Sequence, residues 1–182
     1  MSFIYLIRHA TPDWSRTDIP YFTPPGPPLT AQGEAEAGEL GAFLRDSGVR
    51  QILASPLERC HRTAQIAAES LAIPFTIDNG LTEWKPGDKE DEIKARLWPV
   101  WEQAQAFSAQ TGPVALVTHG GPIAIWLSEL GVDKLVIDHH KKLFDRNNPL
   151  PPAGVWQAER ASERWSLSLA FVPEAYRAKL VV

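Results

Sequence analysis

The sequence is poor in the residues that several large classes of protein depend on. Cys60 is the single cysteine among 182 residues, which excludes an internal disulfide and a cysteine-rich metal site. No run of about 20 apolar residues occurs, so we expect no membrane-spanning helix. The formal net charge of −4 gives the chain as a whole no attraction to nucleic acid or an anionic membrane. Met1–Ile7 lacks the basic leader and the length of a signal peptide, so we expect a cytoplasmic protein.

What the chain does contain is typical of one α/β domain over residues 1–182, with 44% hydrophobic residues. The segments that resemble strands are Phe3–Ile7, Gln51–Ala54, Ile73–Ile77, Val114–Val117, Gly154–Glu159 and Trp165–Val172. Segments with helical spacing alternate with them, at Thr30–Asp46, Ser55–Leu71, Asp88–Gln110 and Pro122–Leu130. This alternation predicts a three-layer α/β/α sandwich whose mixed, mostly parallel sheet is flanked by helices.

Two arginines and two histidines stand where strand-like segments end. Arg8 and His9 close the first segment, Arg59 lies shortly after the second, and His119 follows the fourth. Because the carboxyl ends of parallel strands line one crevice, we expect these side chains to meet there. A guanidinium group can donate two parallel hydrogen bonds to two oxygens of one phosphate, so the cluster predicts a phosphoryl-binding site.

Five motifs in the chain carry a family resemblance, in the order in which that family has them. They are Arg8-His9-Ala10-Thr11, Leu29-Thr30-x-x-Gly33, Ser55-Pro56-Leu57-x-Arg59-x-x-x-Thr63-Ala64, Leu81-x-Glu83-Trp84 and His119-Gly120-Gly121. Together they resemble the histidine phosphatase superfamily, also called the phosphoglycerate mutase-like family. The resemblance runs from residue 3 to about residue 125, and the rest of the chain is compatible with it.

The resemblance implies a catalytic role for five residues. His9 would attack phosphorus and form a phosphohistidine, with its other ring nitrogen held by an acceptor such as a backbone carbonyl. Arg8 and Arg59 would clamp the phosphate, and His119 would donate to a phosphoryl oxygen. Glu83 would give a proton to the leaving oxygen and then serve as the base for water.

Three further positions belong to the expected site or its alternatives. Gly120 would let backbone approach the anion at a helix N-terminus. Ser15 stands where family members often have an asparagine, so its shorter side chain would reach less far toward the phosphate. Ala10 stands where they often have glycine. Asp78 is the alternative to Glu83 as the proton donor.

The resemblance implies a phosphoric monoester hydrolase of the histidine acid phosphatase type, with no cofactor or metal. Its partner would be a small phosphorylated substrate, with a phosphoprotein as the other possibility, and the oligomeric state is not indicated. A phosphoglycerate-type mutase is an alternative, although 182 residues leave little material for a lid. A module that binds a phosphorylated ligand without turnover is the second alternative.

Other features weigh less. The proline-rich segment Thr11–Pro28 is either an exposed linker or a loop at the pocket, and with Asp78–Gly87 and Asp133–Pro152 it would set substrate preference. The triplet at 138–140, Asp-His-His, is interpreted as a solvated polar turn rather than a two-metal site. Trp84 either lines the leaving-group pocket or packs in the core.

Overall fold

Six strands form one sheet within residues 1–144 and 148–180, the part of the chain that the computed structural model describes. They are β1 (Ser2–Arg8), β2 (Gln51–Ala54), β3 (Phe75–Ile77), β4 (Val114–Thr118), β5 (Val155–Arg160) and β6 (Trp165–Phe171). Their order is β3-β2-β4-β1-β5-β6. The first four strands are parallel, and β5 and β6 add an antiparallel hairpin beside β1.

Helices cover both faces of this sheet. Those in the described residues are α1 (Ala31–Asp46), α2 (Glu58–Leu71), α3 (Glu90–Gln110), α4 (Gly120–Glu129), α5 (Lys134–Leu143) and α6 (Glu174–Arg177). Alternate residues of β1 point to opposite faces, so Ile4 and Leu6 join the core under α3 and α4, whereas Tyr5 and Ile7 join the core under α1 and α2. The predicted three-layer α/β sandwich is confirmed.

Local signals located most elements, two predictions were wrong and one helix was not predicted. Helix α2 begins at Glu58 rather than at Ser55-Pro56, because Leu57 has an extended backbone and is the N-cap residue. The segment around 138–140 is part of helix α5 instead of a turn; Asp133 caps this helix and Ile137 anchors it in the core. Helix α6 had no sequence prediction, since four residues are too few for a periodic pattern.

The parallel strands bring distant residues to one edge of the sheet. In the register of β1 with β4, Arg8 pairs with Thr118, and Ala54 of β2 pairs with Val117. The segments that follow these strands therefore begin side by side. Within the predicted specificity segment Asp133–Pro152, residues 145–147 lie outside the described residues. None of the described helices is both long and apolar enough to cross a membrane.

Candidate active site

His9 lies directly after β1, and backbone contacts hold its ring in one orientation. The His9 N–H donates to the carbonyl of Thr118 at 2.9 Å, which continues the β1–β4 pairing by one residue. The ring nitrogen Nδ1 lies 2.8 Å from the carbonyl oxygen of Ala10. A carbonyl can only accept, so Nδ1 carries the proton and Nε2 keeps its lone pair. The predicted carbonyl partner is present, and the ring is oriented for attack through Nε2.

The charge state of His9 suits a nucleophile. The side chain is 1% exposed, and both Arg59 and Arg8 act on it electrostatically. Burial and these two guanidinium groups hold the pKa of His9 well below 6.5, its ordinary value, because each disfavours a second proton on the ring. His9 is therefore neutral at neutral pH, with no separate base required.

A threonine ties the residue after His9 to the helix that carries Arg59. The Thr63 hydroxyl accepts from the Ala10 N–H at 3.0 Å and donates to the Arg59 carbonyl at 2.6 Å. Thr63 and Ala10 are both fully buried, so this link is shielded from water. It keeps the strand end and the start of α2 at a constant separation, which is what a two-part anion clamp requires.

The guanidinium of Arg59 is buried against the loop between β1 and α1. Its Nη1 donates to the Tyr21 carbonyl at 2.9 Å, and its centre lies 4.0 Å from the middle of the Tyr21 ring. Its Nη2 lies 3.2 Å from Nδ1 of His119. Its Nε is buried and has no hydrogen-bond partner among the described residues. A cation this deep needs an anion or a fuller set of acceptors, so Arg59 is suited to an anionic ligand.

His119 is the N-cap residue of α4 and is fully buried between Arg59 and Ser55. Because a guanidinium has no acceptor, Nδ1 of His119 must accept from Arg59. Its Nε2 lies 2.9 Å from the Ser55 hydroxyl and donates to it. Burial and neighbouring cations, Arg59 first among them, hold the pKa of His119 well below 6.5. In this state His119 positions Arg59, and donation to a phosphoryl oxygen would require a second proton.

Glu83 lies in the loop between β3 and α3, which is fastened from two sides. Arg96 of α3 donates to the carbonyls of Gly80 and Glu83, and the Thr118 hydroxyl donates to that of Leu81. The Glu83 side chain is 13% exposed, and its Oε2 lies 3.7 Å from His119 Nδ1. The loop therefore holds a carboxyl beside the histidine cluster.

The environment of Glu83 favours its protonated form. Burial raises the pKa of the Glu83 carboxyl above its ordinary value, since it disfavours the negative charge. The backbone N–H of Trp84, which donates to Oε1 at 2.8 Å, and the guanidinium groups of Arg59 and Arg8 oppose this shift without reversing it. A carboxyl so placed holds its proton to higher pH than an exposed glutamate does, which suits a proton donor.

Two glycines allow side chains to pack onto the first turn of α4. A Cβ atom at Gly121 would lie 2.8 Å from Oε1 of Glu83, and one at Gly120 would overlap the side chain of Asn148. We expected Gly120 to admit an anion to the backbone. The structure shows that these positions also admit Glu83 and Asn148, so a larger residue at either would displace a wall of the site.

These groups surround a cavity of about 580 Å³. Its described lining contains four predicted site residues, namely Arg8, His9, Glu83 and Gly120. Arg59 and His119 lie one layer deeper, where they contact the lining through Tyr21 and Glu83. The remaining lining residues are Trp14, Tyr21, Phe22, Trp84, Gly121 and Asn148.

Two sequence-derived candidates lie away from this cluster. Ser15 is exposed, and its hydroxyl donates to Asp13 at 2.5 Å, so the structure does not bring it to the other residues. Its short side chain is satisfied by the nearest acceptor in its own loop. Asp78 accepts from the Gly80 N–H at 2.8 Å and caps the short turn before Glu83, which is a structural role.

Several residues of the site were missed by sequence reasoning. Ser55 was interpreted as a helix cap, whereas it holds His119. Tyr21 and Phe22 lie in a proline-rich loop, where two adjacent large aromatic residues were the available sign of a buried contact. Arg96 looks like any helix arginine, and nothing local to Asn148 indicates its position.

Comparison with known proteins points to the same family that the five sequence motifs resemble. The family model described as histidine phosphatase superfamily, branch 1, matches residues 4–92. A Bacillus subtilis protein named uncharacterized phosphatase PhoE is 35% identical over 97 residues, which cover 50% of this chain and 46% of that protein. A Salmonella arizonae protein named probable phosphoglycerate mutase GpmB is 34% identical over 107 residues, covering 59% and 48%. The chain thus spans about half the length of these curated relatives.

Solved structures share the fold along almost the whole chain. A mycobacterial glucosyl-3-phosphoglycerate phosphatase in complex with VO3 superposes with a TM-score of 0.74 at 18% identity, over 93% of this chain and 99% of that one. The protein YhfR of Bacillus stearothermophilus gives a TM-score of 0.70 at 19% identity, over 93% and 96%. At such identities these likenesses concern the fold. Residues 4–92 thus match the histidine phosphatase superfamily, and the fold and the cluster around His9 are consistent with that match.

Proposed function

We propose that the protein is a metal-independent phosphomonoester hydrolase that works through a phosphohistidine on His9. The observation that carries this proposal is the tautomer of His9. Its Nδ1–H donates to the Ala10 carbonyl, so that the lone pair of Nε2 belongs to a neutral ring on the cavity lining, beside Arg8. A neutral imidazole held in this way is a competent nucleophile toward phosphorus.

Binding of the phosphoryl group relies on two guanidinium groups. Arg8 lines the cavity and is braced by its donation to the Leu150 carbonyl at 2.9 Å. Arg59, held by His119 and Tyr21, supplies the second positive charge from the layer below the cavity lining. These charges stabilise the equatorial oxygens as the bond to the leaving oxygen lengthens. The first turn of α4 adds a partial positive charge beside them.

In the first half-reaction, Nε2 of His9 attacks phosphorus while the ester bond breaks on the opposite side. Glu83 gives its proton to the leaving oxygen, and the alcohol departs as the neutral product. In the second half-reaction, the resulting Glu83 carboxylate takes a proton from water as the water oxygen attacks the phosphohistidine. Inorganic phosphate leaves, and both His9 and Glu83 regain their starting states.

A mutase is the second candidate, favoured by the relative named probable phosphoglycerate mutase. It would share the first half-reaction and return the phosphoryl group to an acceptor hydroxyl instead of water. A phosphoryl-binding module would share only the anion clamp. A cytoplasmic location and small phosphorylated substrates remain predictions.

Hydrolysis of p-nitrophenyl phosphate in excess EDTA tests the proposed function. We expect release of nitrophenol and inorganic phosphate in equal amounts, because His9, Arg8 and Arg59 supply nucleophile and charge without a metal. Interconversion of phosphoglycerates should be slower than hydrolysis. Loss of activity with EDTA would contradict metal independence, binding without turnover would favour the module, and faster interconversion would favour the mutase.

The role of Glu83 predicts a dependence on the leaving group. In Glu83→Gln, kcat for an alkyl phosphate should fall by about 10²–10⁴-fold, since an alkoxide leaves poorly without a proton. For p-nitrophenyl phosphate, whose leaving group is stable as an anion, we expect less than about a tenfold loss. Asp78→Asn is the matched control and should affect both substrates equally. Equal losses for both substrates in Glu83→Gln, or the selective loss in Asp78→Asn, would refute the assignment.

The pH dependence of kcat/KM, compared between wild type and Glu83→Gln, provides a second test of the role of Glu83. Wild-type kcat/KM should rise with pH as His9 loses its second proton, and fall as Glu83 ionises. The lowered pKa of His9 and the raised pKa of Glu83 both widen the active interval between these limbs. Glu83→Gln should lose the alkaline limb, while limbs from the ionisation of the substrate remain in both enzymes. An unchanged alkaline limb would show that another group supplies the proton.

A further inference from the structure

Four aromatic side chains dominate the described lining of the cavity. They are Trp14, Tyr21, Phe22 and Trp84. Three of them come from the proline-rich loop between β1 and α1, and the fourth is the neighbour of Glu83. Trp84 adjoins Glu83, the residue proposed to protonate the leaving oxygen, and the other three rings line the same cavity.

Contacts within the site hold three of these rings in place. Tyr21 stacks on the guanidinium of Arg59, and Phe22 packs edge-to-face on Tyr21 with 5.0 Å between ring centres. The indole N–H of Trp84 donates to the Asp88 carbonyl at 3.2 Å. Rings fixed by such contacts form a preorganised apolar wall, so they favour a flat apolar group at little cost in side-chain entropy.

The charges of the described lining leave no counterpart for a second anionic group. Arg8 is the one arginine or lysine in that lining, and it is engaged with the phosphoryl group in the proposed reaction. The other polar groups of the lining are Glu83, Asn148, the hydroxyl of Tyr21 and the indole N–H groups of Trp14 and Trp84. A substrate with an additional carboxylate would meet Glu83 and aromatic faces, and a polyol would place hydroxyl groups against those faces.

We infer that the site selects phosphomonoesters of uncharged alcohols that carry an aromatic ring, with Trp14, Tyr21, Phe22 and Trp84 as the leaving-group subsite. This inference rests on the proposed function and specifies its substrate class. It assigns the loop between β1 and α1 a direct part in specificity. It also distinguishes the protein from a phosphoglycerate enzyme, whose substrate carries a second negative charge.

The test compares alkyl phosphates of similar leaving-group basicity, so that recognition rather than chemistry decides the rates. The series is 3-phenylpropyl phosphate, propyl phosphate, glycerol 3-phosphate and 3-phosphoglycerate. We expect kcat/KM for 3-phenylpropyl phosphate to exceed that for propyl phosphate by about tenfold or more, and the two polar esters to be poorer than propyl phosphate. Equal rates, or preference for a polar ester, would overturn the inference while leaving the hydrolase intact.

Variants of aromatic residues test which side chains cause the preference for the 3-phenylpropyl ester. Phe22→Ala should reduce the ratio of 3-phenylpropyl to propyl phosphate by about fivefold or more, and Phe22→Leu provides a version with less packing loss. Phe75→Ala, which removes a half-buried aromatic from β3 at the edge of the sheet, should keep the wild-type ratio. A ratio unchanged in both Phe22 variants would place the preference elsewhere and refute the proposed subsite.

Absence of turnover on every ester would refute the proposed function, and the subsite is then tested by binding. Quenching of tryptophan fluorescence by 3-phenylpropylphosphonate and propylphosphonate gives the two dissociation constants. The aromatic phosphonate should bind about tenfold more tightly. Equal dissociation constants would overturn the inference independently of catalysis.

Discussion

Replacing His9 with alanine is expected to lower kcat by at least about four orders of magnitude, the scale seen when a covalent nucleophile is removed. The described lining of the cavity contains no serine, cysteine or second histidine to take its place. His119 is fully buried, with one nitrogen bonded to Ser55 and the other to Arg59. Loss of His9 therefore removes the phosphoryl acceptor, although the charged walls that bind the substrate remain.

Rapid quenching with a ³²P-labelled phosphomonoester provides the direct measurement for His9. Wild-type protein should carry a label that is stable in alkali and labile in acid, as a phosphohistidine is, and His9→Ala should carry none. His61→Ala is the control, because His61 lies on α2 and contacts Phe75 rather than the site. Labelling of His9→Ala, or more than about a tenth of the wild-type kcat, would refute His9 as the nucleophile.

Arg59→Met is expected to lower kcat/KM by about 10³–10⁵-fold, the range associated with an arginine that stabilises a transferring phosphoryl group. The substitution removes the second guanidinium of the clamp and also leaves Nδ1 of His119 without its donor. Arg59→Lys should recover part of the loss, because it restores the charge but not the forked geometry. Inhibition by inorganic phosphate should weaken in both variants.

Arg62→Met is the matched control for Arg59. Arg62 lies one helical turn further along α2 and pairs with Glu34 at the surface, so its loss should change kcat/KM by less than about twofold. Thermal unfolding of each variant separates effects on the site from effects on the fold. An Arg59→Met protein that unfolds like the wild type and retains kcat/KM within a factor of about ten would refute the clamp.

Much of the architecture could be predicted because it is encoded locally. The strand Gln51–Ala54 has the predicted bounds, and Thr30 caps α1 as expected through its bond to the Gly33 N–H. Continuous apolar segments have few alternatives to a buried strand in a parallel sheet. Because such strands end at one edge, Arg8, His9 and His119 could be grouped from the sequence.

The errors in the sequence predictions have different physical origins. Ser55 has the local signature of a helix cap, yet His119, 64 residues further along the chain, takes its hydroxyl, and α2 starts three residues later than expected. Ser15 was placed at the phosphate from its position in a motif, whereas Asp13 satisfies it within the loop. Helix α5 was missed although Asp133 supplies a local N-cap and basic residues occupy its last turn, and Ile137 is its one buried residue.

The sequence by itself determined the fold class and the family resemblance, and it singled out the residues proposed to carry charge and nucleophile, because these follow from short-range periodicity and from motifs at strand ends. Only the tertiary structure decided the tautomer of His9, the bracing of Arg59 by His119 and Tyr21, and the aromatic wall of the cavity. The bracing of Arg59 joins segments far apart in the chain, and the aromatic wall combines two loops, whereas the tautomer of His9 depends on the backbone conformation at the neighbouring Ala10. Such contacts depend on three-dimensional packing and leave no periodic signal in the sequence.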